Sequence, residues 1–92
     1  MIESFKHKGL RQFFEDDNAR GVNAEHARKI KQILAVLAAA ETIEALQLPT
    51  FHLHPSKGDL NGFWAVTVRA NWRIIFRFAD GRVSDVDLVD YH

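Results

Sequence analysis

The chain has 92 residues and a mass of 10.5 kDa, enough for one domain with one core, taken here as residues 1–92. It contains no cysteine, which excludes a disulfide scaffold, a Cys-ligated zinc site and a thiol nucleophile. Its 12 basic and 12 acidic side chains cancel to a formal net charge of zero, against the basic excess usual in nucleic-acid binders.

Ile2 to Phe5 reads as a short strand. Leu10, Phe13 and Phe14 recur at helical spacing, so a helix is predicted over Lys8 to Glu15, ended by Asp16-Asp17-Asn18 and Gly21. Asn23 is a good N-cap for a long helix from Ala24 to Ala40, whose apolar stripe is Ala27, Ile30, Ile33, Leu34 and Leu37. Thr42 to Leu46 suggests one more helical turn, and Leu48-Pro49 stops it, because the residue before proline is pushed out of the α region. From residue 51 the period becomes two. Phe51, Leu53 and Pro55 alternate with His52 and His54 in a short strand, followed by a turn at Lys57-Gly58-Asp59.

Phe63 to Arg69 is the next strand, with Trp64, Val66 and Val68 on one face and Phe63, Ala65, Thr67 and Arg69 on the other. Trp72 to Phe78 follows, with Trp72, Ile74, Phe76 and Phe78 opposite Arg73, Ile75 and Arg77. Asp80-Gly81 is a strong hairpin dipeptide leading to Val83 to Val89, where Val83, Asp85, Asp87 and Val89 alternate with Ser84, Val86 and Leu88. The expected class is α+β: helices first, then an antiparallel sheet covered on one face by the long helix. No run of about 18 apolar residues exists, and Met1-Ile2-Glu3-Ser4-Phe5 lacks the apolar stretch of a signal peptide. The expectation is a cytoplasmic protein with no membrane association.

Two segments concentrate reactive side chains: His52 to Asp59, and Asp90-Tyr91-His92. Two histidines two apart on a strand put both rings on one face, a spacing open to metal. Without cysteine, HExxH or nearby carboxylates, however, a metal-free reading fits better. Cleavage of RNA by its own 2′-hydroxyl requires removal of that proton, stabilisation of charge on the phosphorane, and protonation of the 5′-oxygen. His54 and His92 suit proton transfer, and Lys57 and Arg73 suit phosphate charge. Tyr91 suits base stacking or proton transfer, and Asp90 suits orientation of an imidazole or proton abstraction. Asp90 and the terminal carboxylate would favour the imidazolium of His92, as befits a general acid. Arg69 and Arg77 extend the set of RNA-binding candidates. Trp64 and Trp72 read as core.

The chain resembles the HigB branch of the RelE toxin superfamily, the toxin half of bacterial type II toxin–antitoxin pairs. The resemblance rests on Ile2 to Leu10, Leu53-His54-Pro55-Ser56-Lys57-Gly58-Asp59, Trp64 to Ile74 and Val89-Asp90-Tyr91-His92. Ser56 stands where the family usually has leucine. The resemblance implies a RelE-like fold, with an N-terminal strand and two to three helices on an antiparallel sheet of three to five strands. It implies an mRNA endonuclease acting in the ribosomal A site with neither metal nor other cofactor. His54, Lys57, Asp90, Tyr91 and His92 would form its catalytic set. Arg73, in the family's Asn-Trp-Arg-Ile motif, would bind phosphate. The implied partners are a HigA-type helix-turn-helix antitoxin, the 70S ribosome with its message, and operator DNA only through the antitoxin complex. An antitoxin-binding co-repressor without nuclease activity is the competing reading.

Zero net charge hides an uneven spread. Lys57, Arg69, Arg73 and Arg77 face Asp59 alone between residues 57 and 77. Asp80, Asp85, Asp87 and Asp90 face Arg82 alone between residues 80 and 90.

Overall fold

The computed structural model describes residues 1–90. Helix α1 (Lys8–Asp16) begins where the His7 ring accepts the Leu10 amide through Nδ1 at 3.1 Å, and it ends at Asp17 in the left-handed region, φ 54°. Gly9 and Gly21 touch through their backbones. A Cβ on Gly9 would lie 2.5 Å from the Gly21 carbonyl oxygen, so only glycine lets α1 pack onto the 3₁₀ turn Ala19–Gly21. Helix α2 (Ala27–Ala39) starts three residues later than the sequence suggests. Asn23 does cap, but its Oδ1 accepts from the Glu25 amide at 2.9 Å and so closes a separate turn ahead of the helix. A 3₁₀ turn follows at Ile43–Leu46, as expected.

Four antiparallel strands, β1 (His54–Pro55), β2 (Trp64–Arg69), β3 (Trp72–Ala79) and β4 (Arg82–Asp90), lie in the order β1-β2-β3-β4. The Ile2 to Phe5 segment runs parallel to β4 as two isolated bridges, Ile2 to Val83 and Phe5 to Val86, rather than as a full strand. The fold is therefore α+β, with two helices on one face of a four-stranded sheet. Among the described residues, no helix is long and apolar enough to cross a membrane.

The inner face of the sheet presents Val66, Val68, Ile74, Phe76, Val83 and Val86 to Leu10, Phe13, Ile30, Ile33, Leu34 and Leu37 of the helices. Each such aliphatic side chain gains roughly 1.5–3 kcal/mol from burial. Trp64 and Trp72 pack against this core, as expected. The open face carries a smaller apolar group: Phe63, Ala65 and Ile75, with Leu60 and Val89 beside them.

Two further expectations are corrected. The strand over residues 51–55 shrinks to His54–Pro55. Phe51 is fully buried in the main core, and His52 takes a left-handed conformation, φ 50°, so His52 and His54 do not share a strand face. The strict alternation of β4 also fails. Ile75 pairs with Asp87 but Arg77 pairs with Ser84, so β4 carries one extra residue at a bulge, where Asp85 has φ 53°. Val83, Val86 and Leu88 consequently all face the helices.

Candidate active site on the open face

Residues directly opposite one another across antiparallel strands share a face. The register His54–Ala65, Ala65–Ile75, Ile75–Asp87 therefore draws one row across the open face. The next row is Thr67–Arg73–Val89. On the other side of the His54 row lie Phe63 and Arg77, whose guanidinium carbon sits 4.4 Å from the centre of the Phe63 ring. The open face thus has histidine in its middle row and an arginine to each side.

His54 is half-buried at the edge strand, and its Nδ1 lies 2.8 Å from the His52 carbonyl oxygen. A carbonyl only accepts, so Nδ1 carries a proton, which leaves Nε2 as the nitrogen able to exchange one with a substrate. The left-handed turn at His52 aims that carbonyl. The departure from a regular strand is thus what orients the imidazole.

Lys57 is exposed and opens the 3₁₀ turn Gly58–Leu60, made possible by Gly58 at φ 66°. Ser56 just before it is buried, tied through its amide to the Phe63 carbonyl at 2.8 Å, and its Oγ has no hydrogen-bond partner.

Arg73 is half-buried. Its Nη1 donates to the Ala70 and Trp72 carbonyls, holding the guanidinium at the β2–β3 hairpin. Arg77 pairs with Asp85 at 3.4 Å. Arg69 is set apart from both. The extra residue Val68 turns β2 at its end, and Arg69 reaches Glu25, ahead of α2, at 3.6 Å. Asp90 ends β4 opposite Trp72. Tyr91 and His92 lie outside the described residues.

Two residues on this face were not singled out from the sequence. Asp87 shares the His54 row, about 14 Å away at three strand spacings. Its Oδ1 accepts from the Leu88 amide at 2.9 Å. Lys6 is delivered by the parallel segment beside β4 and places Nζ 5.4 Å from the Phe63 ring centre. Among the described residues, no three His, Asp or Glu side chains converge as a metal-binding group. A cavity of about 510 Å³ lies on the helix layer between α1 and α2, lined by Phe13, Phe14, Asp17, Lys31 and Leu34, away from this face.

The chain and its fold have counterparts among known proteins. The family model for the RelE-like toxin of the type II toxin–antitoxin system HigB matches residues 3–92. The chain belongs to the HigB-like toxin family. Among curated relatives of this HigB-like chain, Endoribonuclease HigB of Proteus vulgaris is 45% identical over 92 residues, covering 100% of both chains. Toxin HigB-1 of Vibrio cholerae is 31% identical over 83 residues, covering 88% of this chain and 87% of that one. Among solved structures, YafQ of E. coli superposes with a TM-score of 0.64 at 17% identity, covering 98% of this chain and 91% of that one. The heterotetrameric YoeB–YefM toxin–antitoxin complex of Staphylococcus aureus gives 0.62 at 14% identity, covering 100% and 95%. The last two show the shared fold of the HigB-like chain, RelE-like α+β.

Proposed function

We propose that this endoribonuclease toxin cuts translated message in the ribosomal A site, by attack of the RNA 2′-hydroxyl and without a metal ion. The observation that carries the reading is the His54 imidazole, held by the His52 carbonyl with Nε2 free, on a face with Arg73 and Arg77 to either side. His54 takes the 2′-hydroxyl proton or orients the group that does. Lys57 and Arg73 stabilise charge on the phosphorane, Asp90 and Tyr91 orient the nucleotide and the imidazole, and His92 protonates the 5′-oxygen. Arg69 and Arg77 attract RNA phosphates, Arg69 from outside the row because it is held at Glu25.

As the toxin of a type II pair, the protein has an antitoxin partner. The reading takes that partner to be of the HigA helix-turn-helix type, with operator DNA contacted only through the complex and the toxin working in the cytoplasm. The ribosome's part follows from charge. With zero net charge, the protein gathers free RNA weakly. Alignment of the substrate is then supplied by the ribosome, and intramolecular alignment lowers a barrier by several kcal/mol.

Expression without antitoxin, together with message cleavage in a translation extract, tests this. Growth arrest is expected, with cuts in translated messages and far fewer in the same RNA free of ribosomes. Antitoxin binding with neither arrest nor cleavage would leave a co-repressor in place of a nuclease.

A further inference from the structure

We propose that Lys6 and Arg77, seated on the Phe63 ring, form a second RNA phosphate site one nucleotide step from the scissile phosphate. The inference rests on the open face being where RNA is cut.

Two cations share one aromatic ring: the Arg77 guanidinium carbon at 4.4 Å and the Lys6 ammonium at 5.4 Å from its centre. Stacking on a ring is favourable for either alone, but two like charges gathered there repel. Asp85 balances only Arg77, at 3.4 Å. Among the described residues, Lys6 has no carboxylate within ion-pair distance. The group therefore carries one surplus positive charge, with the ammonium N–H donors of Lys6 unspent.

Its construction holds the cations in place. Phe63 is only 6% exposed and forms a fixed floor. Gly62, at φ 93°, leaves room for the guanidinium, since a Cβ there would lie 3.0 Å from Arg77 Nη1. Lys6 is anchored by its amide to the Val86 carbonyl at 2.8 Å.

Position identifies the anion. Phe63 stands two residues from Ala65, the partner of His54, which is about 7 Å along the strand. That is the order of one step in an extended RNA strand, on the same open face. A phosphodiester neighbouring the one cleaved would meet the surplus charge, whether it belongs to the message or to the ribosome's own RNA beside it.

The test is cleavage of a short ribosome-bound message by wild type, Lys6→Ala, Lys6→Arg and Lys31→Ala, the last a charge loss on the helix layer. Circular dichroism verifies that each variant is folded. Lys6→Ala is expected to raise the half-saturating toxin concentration about tenfold and to leave the saturating rate unchanged, as for loss of one charged contact. Lys6→Arg should restore wild-type behaviour, and Lys31→Ala should keep it.

Messages with a single neutral methylphosphonate linkage locate the phosphate. If it lies in the message, one such linkage beside the cut weakens wild type and removes any further effect of Lys6→Ala. If every such message still responds to Lys6→Ala, the phosphate is ribosomal. Lys6→Ala with wild-type half-saturation, or with a loss only in saturating rate, overturns the proposal and leaves the endonuclease reading standing. A wild-type protein that cuts no message overturns both.

Discussion

At the scale of single residues, the site depends on how three side chains are held. His54 is oriented by one hydrogen bond to a backbone carbonyl, so His54→Ala should leave the fold intact and slow cleavage by about 10²–10⁴-fold, the usual contribution of a proton-transfer group. Single-turnover cleavage on programmed ribosomes measures this. Lys57 is exposed and makes no packing contribution, so Lys57→Ala should cost about 10²–10³ in rate with a urea-unfolding midpoint close to wild type. Ser56 behaves in the opposite way. Its buried hydroxyl lacks a partner, so Ser56→Ala should raise stability by about 1 kcal/mol and leave cleavage unchanged. The residue types of this site were legible in the sequence, since histidine and lysine beside a turn already suggest proton transfer and phosphate charge. Their geometry was not. The left-handed His52 that orients His54 has only a weak local signature: histidine is modestly enriched in that region, but neither glycine nor asparagine marks the turn. Spacing alone puts Arg73 and Arg77 on one face and leaves Arg69 open; the extra residue at Val68 sends it to Glu25.

At the scale of elements, periodicity told most of the story. The α2 stripe and the alternation in β2 and β3 follow from burial on one face, and each was readable residue by residue. The extra residues at Val68 in β2 and at the β4 bulge were the exceptions, although a trace of the second is there. Apolar residues at 83, 86 and 88 change parity between the first two, as one inserted residue requires. Asp85 sits in the left-handed region at that bulge, and its amide donates to Ser4 Oγ at 2.9 Å. Asp85→Val should lower stability by about 1–2 kcal/mol, because a β-branched side chain is strained there, whereas Asp85→Gly should be much milder. Chemical denaturation of the two variants side by side checks the sign. The junction of α1 with the 3₁₀ turn is equally exacting. Gly9→Ala pushes a methyl into the Gly21 backbone and should cost roughly 1–3 kcal/mol, read as a lower thermal midpoint.

At the scale of the whole molecule, the two faces of the sheet divide the work. The inner face supplies stability through the helices, and the open face carries His54, Arg73, Arg77 and Lys6, with Lys57 exposed just beyond the edge strand β1. A net charge of zero is thus compatible with RNA chemistry, because Arg77 is balanced by Asp85 and Arg69 by Glu25, while Lys6 and Lys57 form no ion pair among the described residues. This arrangement favours RNA that is presented over RNA that must be captured. The central claim is that the RNA's own 2′-hydroxyl is the nucleophile, and the chemical nature of the new RNA ends tests it most directly. Mass spectrometry of the fragments released on ribosomes should find a 2′,3′-cyclic phosphate, or the 3′-phosphate it hydrolyses to, on the upstream piece and a 5′-hydroxyl on the downstream piece. A 3′-hydroxyl facing a 5′-phosphate would contradict the account, because those ends require attack by water from the other side of the phosphorus.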